Sequence, residues 1–331
     1  MTEQSERPRA GTGGRPGEGE RRLRGTLLPT RAIQVALGVI WLADGALQLQ
    51  PYMFSPAFLS IFIASNAQGQ PRVIHDSIVA LVQFATPHHV IWNACFALTQ
   101  IAIGLGLLVS PRTVRPALIL SFAWALVVWW MGEGLGMLFM GTASPLTGAP
   151  GSVLLYAVIG VLVWPDSGTT GAGRDLAGRI LWAICWVLLA GLMFLPFNSG
   201  PNATRFTFAA AAAFIGSGPL AALDTALAGL TSGRGMLVSI LSAVIMAAVG
   251  VTVLIDRHRN SALLVGAAIG GFLFLTTEFL GGILTGYGTD PNTGPLLVLF
   301  AARLWVRSPR ASVHQEPISS PKRGLLAHRR G

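Results

Sequence analysis

Apolar positions gather into long continuous runs, separated by short connections rich in Arg, Gly and Pro. Several runs approach or exceed the ~18–20 residues needed to cross a bilayer. They lie at Ala32–Leu49, Val90–Ser110, Ala117–Met140 and Pro150–Trp164, and again at Ala177–Leu195, Gly235–Ile255, Ser261–Leu284 and Pro295–Val306. The expected fold is an all-α integral membrane protein with eight transmembrane helices. The fourth run of each set is markedly short for a hydrocarbon core of about 30 Å.

The two sets match each other. GEGLGMLFMGTASPLTGAPGSVLLYA from Gly132 aligns without a gap on TEFLGGILTGYGTDPNTGPLLVLFAA from Thr277. That register, 278 − 133 = 145 residues, pairs Glu133 with Glu278, Gly136 with Gly281, Gly141 with Gly286 and Pro150 with Pro295. It also pairs Trp41 with Trp186, Pro51 with Pro196 and Arg112 with Arg257. The reading is a tandem duplication, with repeats at residues 31–165 and 176–306. An even number of spans per repeat gives both copies the same orientation, related by an axis along the membrane normal. The residues outside the repeats, 1–30 and 307–331, read as disordered cytoplasmic tails, the first from its Gly, Pro, Arg and Glu content without apolar periodicity.

Two connections differ from ordinary loops. Between the first and second spans, Ile74, Ile78, Leu81, Val82 and Ala85 fall on one helical face, with Arg72, Asp76, Gln83 and Thr86 opposite. This predicts an amphipathic helix at the outer surface. The stretches Thr142–Pro150 and Tyr287–Gly294 lead into the short fourth spans. Irregular backbone at membrane depth survives only when buried in protein or lining a wet cavity. Interrupted spans at matching places in two halves point to a binding site; the alternative is a fourth span that starts earlier and tilts.

Composition and charge agree with the membrane class. Hydrophobic residues make up 52% and charged residues 11%, against about 25% charged in soluble domains. Of the 23 Lys and Arg, seven lie in the N-terminal segment, two each in three connections and seven at the C-terminal end, or 7 + 2 + 2 + 2 + 7 = 20. Only Arg72, Arg205 and Arg234 fall on the other side. Cytoplasmic retention of such residues predicts both termini inside a bacterial cytoplasmic membrane. The net charge of +9 thus reflects topology and lipid contact, not nucleic acid. Cys95 and Cys185 lie within predicted helices and read as small apolar residues.

No nucleotide-binding, metalloprotease or serine-hydrolase motif occurs, which argues against a soluble-type enzyme. The chemistry concentrates in a few polar groups inside apolar runs. Asp44, in WLADGALQLQP, and Glu133 both fall in the outer half of their spans, where a charge needs an interior partner. Glu133, Glu278, Asp44, Trp130, His75 and Asp76 form the expected binding set. One reading of the acids is a proton or cation site open to the outside; the other is a carboxylate capping polar backbone, with Gln48 or Ser and Thr groups as partners. His75, His88 and His89 are the metal-ligating candidates, although a solvated His pair at a helix start is the commoner arrangement.

The segment LGVIWLADGALQLQP, the four-span order and the Gly-rich third helix resemble DoxX-type small membrane proteins. The resemblance covers residues 31–165 and again 176–306, and departs from that family in being duplicated. It implies membrane redox chemistry linked to quinone, without assigning any residue a role. Three functions therefore stand open: a permease-like protein for a small solute, proton or cation; a quinone-associated redox accessory; and a membrane scaffold whose acids stabilise packing.

Overall fold

The computed structural model describes residues 28–165 and 171–306. The expected terminal tails lie almost wholly outside these residues. Every regular element described is helical. In the first half, α1 (Thr30–Leu47) is followed by a π-helical segment (Phe58–Ile63) and α2 (Arg72–Ala85). Next come α3 (His89–Val109), α4 (Val114–Val127) with a π-helical end at Val128–Gly132, and α5 (Ser152–Leu162). The second half contains α6 (Gly171–Leu192), α7 (Pro196–Ser199), α8 (Ala203–Ile215), α9 (Pro219–Thr231), α10 (Gly235–Thr252), α11 (Arg259–Leu275) and α12 (Thr293–Leu304). Six helical stretches are long and apolar enough to cross a membrane. The protein is an α-helical membrane protein.

Helices α5 and α12 are not among the six. Their 11 and 12 residues rise only about 17 and 18 Å, far less than a hydrocarbon core of about 30 Å. What they lack in length they make up in burial. Leu296, Leu297, Phe300, Ala301 and Leu304 of α12 are all 2% exposed or less. An apolar, buried helix of this kind belongs at the centre of a bundle, and α12 packs on α1, α5, α6 and α11. Together with Trp41, Tyr156, Trp182 and Trp186 these residues form a core that runs through both halves.

Around this centre the longer helices pair antiparallel. Helix α1 lies on α3, where a Cβ at Gly104 would meet Gly38 O at 2.8 Å. Only small residues permit backbones to approach so closely, as is usual between membrane helices. The corresponding pair in the second half is α6 on α10. Outside these pairs, α2 buries Ile74, Ile78 and Ala85 and exposes Arg72, His75 and Asp76, as its sequence pattern requires. The second half has its own outer helices, α8 and α9, a hairpin with no expectation from sequence. Its apolar residues are spread with little segregation, so no amphipathic stripe announces it.

Arginines tie the helix ends together at one end of the bundle. Arg31, at the start of α1, donates to Leu107 O (2.7 Å) and Leu108 O (2.5 Å) at the end of α3. Arg179 of α6 does the same for Val253 O (3.0 Å) and Leu254 O just beyond α10. Arg115 of α4 donates to Pro165 O (2.7 Å) beyond α5, and Arg259 of α11 donates to Leu304 O of α12. Cations at helix C-termini satisfy orphan carbonyls and complement the helix dipole. Thus α1 caps α3 and α4 caps the end of α5 in the first half, while α6 caps α10 and α11 caps α12 in the second.

At the opposite end, the chain leaves α4 and α11 through a single left-handed turn. Leu135, Gly136 and Met137 have φ of 55°, 64° and 58°, and Leu280, Gly281 and Gly282 have 57°, 67° and 68°. The two turns are 280 − 135 = 145 residues apart. The left-handed region is costly for L-residues with a side chain, about 1–2 kcal/mol each. At its centre the turn requires glycine, since a Cβ on Gly136 would fall 2.0 Å from Pro150 O.

Candidate functional site

After each left-handed turn the chain runs back and starts a short helix, and an acid marks that start. Glu133 follows the π-helical end of α4 and accepts from Ser152 Oγ at 2.9 Å, with the N–H groups of Ser152 and Val153 also turned toward its carboxyl group. Glu278 follows α11 and accepts from Thr293 Oγ1 and from Gly294 N at 2.9 Å. Both acids therefore sit at the N-terminus of a short helix, where unpaired N–H groups and the helix dipole favour a carboxylate. They differ in what is left over. Glu278 is 1% exposed, with hydrogen bonds to both oxygens, whereas Glu133 Oε2 has no protein partner.

Glu133 is also one of the residues that line a cavity. A space of about 470 Å³ opens at the end of the bundle opposite the arginines, and Asp44, Glu133 and Asp290 all line it. This volume is within the range of roughly 300–1,000 Å³ common for small-molecule sites. Asp44 is 2% exposed and stands near the end of α1, about 20 Å along the helix from Arg31 at 1.5 Å per residue. Its partner is Tyr156 of α5, whose hydroxyl donates to Oδ2 at 2.6 Å; Oδ1 has no protein partner. Gln48, proposed from sequence as its partner, instead pairs with Asn93 of α3 at 2.5 Å.

The walls are mostly aromatic and apolar: Trp41, Phe58, Phe62, Trp92, Phe96 and Trp124. Gln100 of α3 adds a polar group, 7% exposed, whose Oε1 is unpartnered. The irregular stretch between the turn and α5 supplies Thr142, Ser144, Thr147 and Gly148. The second half reaches over and contributes Asp290 and Asn292, from the stretch leading into α12. Asp290 holds a tight turn there, accepting from Asn292 N at 2.7 Å and Thr289 Oγ1 at 3.0 Å. Further ties hold this stretch against the first half, including Gln50 Nε2 to Gly288 O at 3.1 Å and the contact of Tyr52 with Tyr287.

Of the sequence-derived binding set, Asp44 and Glu133 meet in the cavity lining, while Glu278, Trp130, His75 and Asp76 lie outside it. Trp130 donates its indole N–H to Ser77 Oγ at 2.8 Å and so fastens α2 to α4. His75 contacts Asp76 at 2.9 Å on the exposed face of α2, next to the exposed pair Arg72–Asp76 at 3.5 Å. His88 is exposed, and His89 contacts Thr86 O at 3.0 Å. Among the described residues no three His, Cys, Asp or Glu side chains gather as a metal site would require. The three histidines mark the two ends of α2 and the start of α3, too spread along the chain's surface to converge.

Sequence reasoning passed over Tyr156, Gln100, Asp290 and Asn292. Tyr156 had a readable signal, a hydroxyl in the apolar run SVLLYAVIG. Asp290 and Asn292 had none, because their role depends on one half folding over the other. Comparison with protein-family models, with curated proteins and with solved structures gives no match, so the site is read from its own geometry.

Proposed function

We propose that the chain is a permease-like protein of the cytoplasmic membrane, with an outward-facing acidic cavity that binds a small solute, proton or cation. The observation that carries this reading is the pair of buried acids, Asp44 and Glu133, in the lining of one cavity, each with an oxygen that no protein group satisfies. Buried acceptors without partners are rare and costly, and a scaffold would gain nothing from keeping them. The cavity is also bounded by irregular backbone before a short helix, the arrangement in which transporters build their sites.

In this reading the chain crosses the membrane eight times, with α5 and α12 as short fourth spans, and arose by duplication of a four-helix unit. Support comes from the matching helix order in the two halves, the two left-handed turns 145 residues apart and the paired arginine caps. The arginine end is cytoplasmic by the positive-inside rule, which puts both termini inside and the cavity outside.

The DoxX-like resemblance supports a second reading, a quinone-associated redox accessory, which the aromatic cavity walls favour. A metabolite and metal profile of cells lacking the protein separates the readings. The permease-like reading expects a solute whose level shifts and is restored by the wild-type chain but not by Asp44→Asn at equal membrane abundance. Restoration by Asp44→Asn would leave the scaffold reading. Quinone retained by the purified chain would favour the redox accessory.

A further inference from the structure

We infer that the ligand of this cavity is a protonated primary or secondary amine carrying a compact apolar body, an assignment that rests on the permease-like reading. Three carboxylates line the space and no Lys, Arg or His does. The lining therefore offers no basic side chain to pair with an ionised acid. The unmet polar groups of the lining include the indole N–H groups of Trp41 and Trp124 and the hydroxyl of Ser144, and three more are acceptors. Asp44 Oδ1, Glu133 Oε2 and Gln100 Oε1 are all acceptors lacking a donor, and an amide oxygen or an ionised carboxylate offers nothing else.

An ammonium group provides up to three N–H donors around a single charge. Hydrogen bonds from such a group to carboxylates are about twice as strong as neutral ones. An inorganic cation suits the lining less well, because most of it is aromatic and apolar rather than oxygen. Those same walls suit an organic body, and the faces of Trp41, Trp92 and Trp124 can attract a cation through their ring quadrupoles. A quaternary ammonium would use the rings but would leave the three acceptors unmet, so N–H-bearing amines are preferred.

The experiment uses the full chain, purified into nanodiscs, with intrinsic tryptophan fluorescence and thermal shift as readouts. The probes are 2-phenylethylamine, its neutral isostere 2-phenylethanol, the anion 3-phenylpropionate and the quaternary trimethyl derivative of the amine. We expect saturable binding of the amine, about tenfold or more tighter than the alcohol or the quaternary compound, and none of the anion. Asp44→Asn should lower amine affinity about tenfold while leaving that of the alcohol unchanged. The wild-type comparison needs no variant, so a poorly folding Asp44→Asn does not blunt it. Equal or tighter binding of the alcohol, the anion or the quaternary compound would overturn the amine assignment and leave the cavity as a solute site. Failure of all four probes to bind would overturn the assignment and, combined with rescue of the cellular profile by Asp44→Asn, the permease-like reading as well.

Discussion

The hydroxyl of Tyr156 donates to Asp44 Oδ2 at 2.6 Å, joining α5 to α1 across 112 residues of sequence. The two rings next to this bond, Tyr156 and Trp41, lie 4.4 Å apart between centroids. A buried acid is thus held by a phenol at one oxygen, while its other oxygen has no protein partner. Removing the phenol should expose what the bond contributes. Tyr156→Phe leaves a buried carboxyl oxygen without its donor, a loss of about 1–3 kcal/mol. The double variant with Asp44→Asn should cost less than the sum of the two singles. Thermal unfolding of the four proteins in nanodiscs measures this coupling, and simple additivity would mean that the bond contributes nothing.

The two helix-capping acids should respond differently to neutralisation. Glu278 spends both oxygens on Thr293 and Gly294, so Glu278→Gln should lower stability by about 1–3 kcal/mol without altering ligand selectivity. Glu133 lines the cavity and has one oxygen without a protein partner, so Glu133→Gln should reduce ligand binding or transport about tenfold or more per folded protein. Equal functional loss in both variants would show that Glu278 also serves a site.

Gly136 and Gly141 have nearly the same backbone, φ of 64° and 69°, but different surroundings. A Cβ on Gly136 would sit 2.0 Å from Pro150 O, while one on Gly141 would meet nothing within 4 Å. Gly141→Ala should therefore cost about 1–2 kcal/mol, the left-handed penalty alone. Gly136→Ala should cost more and displace the Pro150 segment from the cavity wall. Matching melting temperatures for the two alanine variants would refute the steric argument.

Asp224 in α9 is fully buried against α8, and neither of its oxygens has a protein partner. Desolvation pushes its pKa from 3.8 to about 6. The folded chain thus holds this proton more tightly than the unfolded chain, and stability falls as pH rises from about 4 to 6. Above that window the penalty is constant. Asp224→Asn should match the wild type below pH 4 and exceed it by on the order of 1 kcal/mol above pH 6. Denaturation of both proteins across this range checks the sign; a constant gap at every pH would remove Asp224 as its source.

Reporter fusions test the orientation. A reporter at Gly331 should read cytoplasmic and one inserted near Gly148, in the cavity lining, should read external. A cytoplasmic signal near Gly148 would reverse the placement of the cavity.

The long apolar helices and the acids within them were legible in the sequence, because burial in lipid demands continuous apolar runs and makes any carboxyl group within them conspicuous, whereas the α8–α9 hairpin was not. Asp44 and Glu133 were found in this way, and so was the amphipathic face of α2. The 145-residue register gave no sign that the chain would turn left-handed at Leu135 and Leu280, outside the stretches expected to be irregular. Tertiary structure alone decided which of the two capping acids lines a cavity: Glu133 and Glu278 occupy matching places in sequence and differ in their surroundings. It alone brought Asp290 and Asn292 across to the first half, and paired Tyr156 with Asp44. The physical reason is one of range. Hydrophobic periodicity reports on a residue's relation to solvent or lipid, which is local, whereas hydrogen-bond partners and cavities depend on contacts between segments far apart in the chain.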